Sequence, residues 1–222
     1  MDFLKILRSF EEFVFEATSW LIFYPLTMWR ILRRPLATMD YSDREQSDTD
    51  EKRYDDALSP PLVLLATIVL WNLIGIEAHV ADLEATSTAM KTLAASQQNL
   101  ILFRSLIFSL IPLIAAASLV HRQGKRLSRE TLRVPFYAQC YLAAPCVMVV
   151  SIGGIILRRA DMANLLGLAV MIVGATWFLV VQTLWFRNKL STSYARAAVI
   201  ALWATARALA ILLLVLLLLA IL

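Results

Sequence analysis

The stretch FYPLTMWRILRRPL, residues 23–36, decides how the chain is arranged, because it is apolar enough to enter a bilayer and too short to cross one. The apolar run from Ala17 to Trp29 has 13 residues, whereas a spanning helix needs roughly 20. Pro25 also removes a helical hydrogen bond from the middle of the run. The sequence therefore predicts that this stretch lies on the membrane, with a half-inserted re-entrant hairpin as the alternative.

Residues 1–36 as a whole are expected to form an amphipathic interfacial helix on the cytoplasmic face. Polar side chains recur every three or four positions through residues 1–19, with apolar side chains between them. Trp20, Tyr24 and Trp29 add aromatic groups that favour the membrane interface. The candidate contacts for anionic lipid headgroups, each contributing about 1 kcal/mol near such a surface, are Arg30, Arg33 and Arg34.

Composition places the chain among integral membrane proteins of the all-α class. Of its 222 residues, 59% are hydrophobic and 17% are charged, and the mean hydropathy is +0.68. A soluble domain keeps about a quarter of its residues charged. The net charge of +4 is expected to come from lysine and arginine retained in cytoplasmic loops, so no nucleic-acid partner is predicted.

Residues 37–59 are expected to be an acidic cytoplasmic linker. The segment 40–56 carries eight acidic and three basic residues and almost no large apolar ones. Such a composition favours a solvated spacer. A docking site for a basic partner surface is the alternative.

Five transmembrane helices are predicted in residues 60–222. Apolar runs place them at about 60–77, 100–120, 135–157, 164–186 and 200–222. With this alternation, sixteen lysines and arginines fall on one side of the membrane and three on the other. Positive charge marks the cytoplasmic side, which predicts a cytoplasmic N-terminus and an outward C-terminus in a cell inner membrane.

Polar residues within the spans are the candidate functional residues, because such groups are costly in a bilayer. Glu77 and Arg104 are expected at matching depth, either as an ion pair or each reaching separately to the interface. Arg207 either faces a cavity or ends an interfacial lead-in to the last span. The full set of candidate intramembrane polar contacts is Asn72, Glu77, Arg104, Gln139 and Arg207.

The sequence predicts no enzyme, metal or cofactor site. His79 and His121 fall on opposite sides of the membrane in the predicted topology, so they cannot share a zinc site or a catalytic dyad. No carboxylate lies deep in a predicted span, and no glycine-rich phosphate loop is present.

This layout, together with the segment FYPLTMWRILRRP at residues 23–35, resembles the Yip-domain family of five-span membrane proteins. Bacterial members carry a similar proline-, threonine- and tryptophan-containing segment before their first span. The resemblance implies a cytoplasmic N-terminal region, five spans and an outward C-terminus. The DLYGP-type signature of eukaryotic members, which bind small GTPases, is absent.

The function expected from these features is that of a non-catalytic accessory or scaffold subunit of a larger membrane assembly. Its expected partners are the lipid bilayer and either another membrane protein or further copies of itself. The alternative is a small oligomeric permease or channel with a pathway near Asn72, Arg104, Gln139 and Arg207, and a weaker one is an enzyme subunit acting on lipid. A transporter predicts that these residues converge on one cavity, whereas a scaffold predicts that they disperse.

Overall fold

The computed structural model describes residues 3–46, 54–77, 87, 91–92, 95–158 and 164–221, and every regular element in that part of the chain is a helix. The predicted all-α fold class is therefore confirmed. In chain order the helices are α1 (Phe3–Arg33), α2 (Pro35–Glu45), α3 (Pro60–Glu77), α4 (Gln97–Arg122), α5 (Arg129–Arg158), α6 (Asn164–Leu190) and α7 (Tyr194–Ile221).

Helices α4 to α7 are long and apolar enough to cross a membrane. They have 26 to 30 residues, which at about 1.5 Å per residue exceeds the roughly 30 Å hydrocarbon core of a bilayer. The chain is thus a multi-pass membrane protein. Helix α3 is also apolar, but its stretch Pro60–Gly75 is shorter than the other four.

Helix α5 is the centre of the bundle, because it contacts α1, α2, α3, α4 and α6. Of its most apolar stretch 44% is buried, against 11% for α7. Small side chains such as Ala138, Ala143 and Ala144 let its neighbours approach closely, and all three are fully buried. Helix α7 packs on α4 and α6 and leaves most of its surface free to face lipid.

Glycines bring α5 and α6 into close contact. A methyl group added at Gly153 would lie 2.9 Å from the carbonyl oxygen of Gly167 and 2.3 Å from Cγ of Met171. One added at Gly167 would lie 2.8 Å from the carbonyl oxygen of Gly153. These distances leave no room for a larger residue, so the two backbones are in direct contact.

One end of the bundle carries the α1–α2 junction, the α4–α5 loop and the α6–α7 turn, and it is called the basic end here. Contrary to the predicted solvated linker, residues 35–45 form helix α2, which packs on α5 and α6 at this end. Its own side chains Met39 and Ser42 are fully buried against the bundle. Residues 47–53 of the linker lie outside the described part of the chain.

The described end of the linker, residues 54–59, also packs on the bundle. Ala57 and Leu58 are buried, and the hydroxyl of Tyr141 donates a 2.7 Å hydrogen bond to the carbonyl of Leu58. The rings of Tyr41 and Tyr54 meet edge to face with their centroids 6.1 Å apart. The contacts of this segment are therefore made by aromatic and small apolar residues that lie among its charged residues. The overall composition of the segment does not predict these contacts.

Helix α1 continues through Pro25 without a break. Residues 17–29 therefore form one continuous helix and not the re-entrant hairpin of the alternative prediction. Thr27, Met28 and Ile31 are buried against the bundle, while Leu21 and Leu26 are exposed on the other side. This part of α1 is therefore apolar on both its protein-facing and its outward-facing side.

Candidate functional site

The polar span residues Asn72 and Arg104 meet in a cleft between α3, α4 and α5 at the end of the bundle opposite the basic end. Arg104 Nη1 donates a hydrogen bond to Asn72 Oδ1. Asn72 Nδ2 in turn donates to Gln97 Oε1 at 3.3 Å. Asn72 and Gln97 can meet because Asn72 lies near the C-terminal end of α3 and Gln97 is the first residue of α4.

The cleft has a volume of about 520 Å³ and a second basic residue, Arg158, on its α5 side. Gly75 and Gly154 widen it, since no atom lies within 4 Å of a methyl group built on either residue. Ile68, Phe108 and Val147 line its wall with apolar surface. A pocket with two guanidinium groups and two amides suits a polar or anionic solute.

Gln97 and Arg158 line this cleft but are not among the predicted polar contacts. The predicted span boundaries place Gln97 in the connection before the second span and Arg158 in the connection after the third. For Gln97 a signal existed, because positions seven apart share one face of a helix and Gln97 precedes Arg104 by seven residues. Recognising it required starting the helix at residue 97 and not at residue 100.

Of the other predicted polar contacts, Gln139 and Arg207 do not line the cleft. Gln139 is 1% exposed in the core, and neither atom of its amide has a hydrogen-bond partner in the described part of the chain. Arg207 Nη2 donates a 2.6 Å hydrogen bond to Ser118 Oγ on α4. The side chain of Glu77 lies outside the described residues, so its pairing with Arg104 stays a prediction.

The three arginines predicted to contact lipid headgroups lie together at the basic end. Arg30, Arg33 and Arg34 line a cavity of about 550 Å³ at the α1–α2 junction. The guanidinium of Arg33 stacks over the ring of Trp29, 4.9 Å from its centroid. Their grouping into one cavity was not predicted, because α1 and α2 were not recognised as separate helices.

Within the described part of the chain, Arg30 is the one of these three arginines that is paired with an acid. Its Nη1 lies 2.8 Å from Asp56 Oδ2, and the hydroxyl of Tyr41 donates to Asp56 Oδ1 at 2.6 Å. The hydrogen bond from Tyr41, with that from Arg30, holds the pKa of Asp56 below its usual range. This cluster fastens residue 56 to both α1 and α2.

A second ion-pair cluster fastens α2 to α6. Lys189 Nζ lies 2.9 Å from Asp40 Oδ1 and 2.7 Å from Asp43 Oδ2. Burial raises the pKa of Asp43, and the hydrogen bond from Lys189 opposes that shift. The partners are about 150 residues apart in the chain, so no local sequence pattern predicts the contact.

Within the described residues no three His, Cys, Asp or Glu side chains lie close enough to hold a metal ion. Cys140 and Cys146 are free thiols. The arginine and amide side chains that line the two cavities can bind polar or anionic groups.

No protein-family model, curated protein or solved structure matches this chain.

Proposed function

We propose that this protein is a non-catalytic inner-membrane protein that serves as a scaffold or accessory subunit of a larger membrane assembly. The observation that carries the proposal is the dispersal of the polar span residues. Asn72 and Arg104 share one cleft, whereas Gln139 is sealed in the core and Arg207 bonds Ser118. A permeation pathway needs such groups to follow one another along a continuous cavity.

The docked acidic segment supports the same proposal. Lys189 and Arg30 hold α2 and residue 56 against the bundle through ion pairs. The basic end therefore presents a fixed surface that bears exposed acids, among them Asp55. A preformed surface binds a partner without the entropic cost of ordering a linker.

A broad apolar surface is available within the membrane for lipid or for a partner helix. Leu209, Leu213 and Leu217 recur every four residues along α7 and are all exposed. Between helices in lipid, close packing and polar contacts drive association, because apolar area gives no gain over lipid. We accordingly assign partner selection to the basic end and membrane residence to α7.

The proposed topology has five spans, with the N-terminus in the cytoplasm and the C-terminus outside. The chain from Leu58 through α3 runs alongside the central helix α5. Leu58 is bonded to Tyr141 at the basic end, and Trp71 and Gly75 line the cleft together with Gly154. Helix α3 therefore follows α5 through much of its length. This arrangement supports α3 as the fifth span, as in the Yip-domain family that the layout resembles.

Helix α1 is proposed to lie tilted in the interface at the basic end. The hydroxyl of Tyr24 donates to Thr67 Oγ1 at 3.1 Å. Thr67 is seven residues beyond Pro60, which is about 10 Å along α3 at 1.5 Å per residue. An interfacial helix sits at about 5–10 Å depth, and this contact supports that placement.

The test is gentle detergent extraction with an N-terminal tag, followed by native mass measurement and identification of bound proteins. We expect a stoichiometric protein partner that is lost from Asp55→Lys and retained by Glu130→Lys, an exposed acid on the α4–α5 side of the same end. A lone monomer, or a homo-oligomer without other proteins, would overturn the scaffold proposal.

The second candidate function is a small oligomeric permease or channel, and the cleft of Asn72, Arg104 and Arg158 favours it. The test is flux of anions and polar solutes into liposomes that contain the purified protein. Flux that falls with Arg104→Gln and persists with Arg126→Gln, an exposed loop arginine, would establish this function in place of the scaffold.

A further inference from the structure

We propose that the cavity at the α1–α2 junction binds the phosphate-bearing headgroup of one anionic phospholipid. The cavity forms where the chain turns from helix α1 into helix α2. Helix α1 ends at Arg33, Arg34 adopts φ −139° and ψ 63°, and Pro35 begins α2. Proline suits the first position of a helix because its missing N–H would have no partner there.

The charge around the cavity is positive and largely uncompensated. Among the lining residues are Arg30, Arg33 and Arg34, and no carboxylate is among them. Only Arg30 has an acidic partner, Asp56, among the residues that the structure describes. Arginine is the side chain best suited to phosphate, because its planar guanidinium donates two parallel hydrogen bonds.

The start of α2 adds a second source of positive potential. First-turn N–H groups of a helix have no intrahelical acceptor, and the helix dipole places partial positive charge there. No side chain caps this end, and the hydroxyl of Thr38 is turned to the carbonyl of Arg34 at 2.9 Å. Ala37, in that first turn, lines the cavity beside Arg34, so an anion there meets both the arginines and the helix terminus.

The surroundings favour a lipid headgroup as the source of the phosphate. Trp29 lines the cavity and is 57% exposed, and Leu26 and Leu32 are exposed one turn to either side of it. Such side chains suit acyl chains and the interface. A volume of about 550 Å³ lies within the roughly 300–1,000 Å³ of small-molecule pockets, which leaves space for a glycerol phosphate headgroup.

The experiment uses the full chain, delipidated in a neutral detergent. Dioleoyl phosphatidylglycerol, dioleoyl phosphatidylcholine or inorganic phosphate is added, and bound lipid is counted by native mass spectrometry while the thermal midpoint is followed. We expect one phosphatidylglycerol to be retained per chain and to raise the midpoint. Phosphatidylcholine and inorganic phosphate are expected to do neither.

The variant Arg33→Gln/Arg34→Gln is expected to bind phosphatidylglycerol about 30-fold more weakly. Arg126→Gln/Arg129→Gln makes the same change of charge on two exposed residues, one in the α4–α5 loop and one at the start of α5, and is expected to bind as the wild type does. If the double variant does not fold, Arg33→Lys keeps the charge, loses the bidentate donor and is expected to weaken binding several-fold.

Three results would overturn the proposal. Equal stabilisation by phosphatidylcholine would remove the requirement for an anionic headgroup. An equal effect of inorganic phosphate would identify a site for a free anion. Unchanged binding in the Arg33 and Arg34 variants would locate the lipid elsewhere on the protein.

Discussion

At the scale of single residues, Gln139 is the clearest departure from what a bilayer-embedded core favours. It is 1% exposed, and neither amide atom finds a hydrogen-bond partner in the described residues. A buried unsatisfied polar group costs about 1–3 kcal/mol. We expect Gln139→Met, which keeps the length of the side chain, to raise the free energy of unfolding in detergent by about 1 kcal/mol.

Thermal unfolding in one detergent measures this change, with the exposed Gln98→Met as the control. A loss of stability in Gln139→Met would mean that the amide serves a partner outside the described part of the chain. That result would also return Gln139 to the candidates for a polar pathway.

Asp56 gives a pH dependence whose sign follows from its contacts. The hydrogen bonds from Tyr41 and Arg30 lower the pKa of Asp56 in the folded protein. A carboxyl with a lowered folded pKa stabilises above its unfolded value of about 3.9 and loses that contribution as the pH falls through the folded value. The gain is small, because the side chain of Asp56 is 62% exposed.

We therefore expect Asp56→Asn to destabilise the protein at pH 7, and this deficit to shrink as the pH falls below about 3.9 towards 2.5. Unfolding midpoints across this range test the difference, with the neighbouring exposed Asp55→Asn as control. A deficit of Asp56→Asn that persists unchanged at pH 2.5 would show that lost packing, and not charge, is responsible.

At the scale of helices, the contact between α5 and α6 depends on glycine. A methyl group at Gly167 would lie 2.8 Å from the carbonyl oxygen of Gly153 and 3.0 Å from the amide nitrogen of Leu157. Both of these atoms belong to the backbone, so relief requires α5 and α6 to move apart. Overpacking of this kind costs about 1–3 kcal/mol, and we expect that loss for Gly167→Ala.

Gly154→Ala is the matched control, since nothing lies within 4 Å of its added methyl group. Alanine is the better helix former, so this variant is expected to be as stable as the wild type or up to about 1 kcal/mol more stable. Equal stability of Gly167→Ala and Gly154→Ala would contradict a direct backbone contact.

The sequence predicts the long helices well and α2 poorly, for a physical reason. Apolar runs identify α4 to α7 because a bilayer demands length and apolarity, both of which are local properties. The docking of α2 depends on Lys189, which is remote in sequence from Asp40 and Asp43. A charged stretch looks solvated until its distant partner is known, so composition cannot predict such a contact.

The candidate sites divide in the same way. Asn72, Arg104 and the three arginines at the α1–α2 junction were predicted because polar and basic residues in apolar surroundings are conspicuous. The grouping of these residues into two cavities was not predicted. This grouping depends on where α2 begins and on how α3 and α5 pack together. The type of each residue can be read from the sequence, whereas the neighbours of its side chain depend on the fold.

At the scale of the whole molecule, the number of spans decides which residues share a side of the membrane. If α4 to α7 alone crossed, α2 and the end of α6 would lie on opposite sides, yet Lys189 Nζ lies 2.7 Å from Asp43 Oδ2. That contact supports the proposal that α3 crosses as well. Its 18 residues give about 27 Å, a few ångströms short of the bilayer core, which costs only fractions of a kcal/mol per ångström.

Charge separation supports the same count of spans. With five spans, sixteen lysines and arginines share one side and three lie on the other; with four, the division is eleven against eight. The positive-inside rule expects an excess of lysine and arginine on the cytoplasmic side, and only the five-span topology gives a strong excess on one side. We therefore expect Ser9, Asp55 and Lys125 on the cytoplasmic side and Ile221 outside.

Single cysteines at these four positions, in a Cys140→Ala/Cys146→Ala background, test the topology with a membrane-impermeant maleimide on right-side-out vesicles. Labelling confined to Ile221→Cys is the expected result. If Asp55→Cys and Lys125→Cys differ in labelling, α3 does not cross and the Lys189 contact is wrong. If Ser9→Cys and Asp55→Cys differ, α1 spans the membrane, and the arginine cavity loses its position at the headgroups.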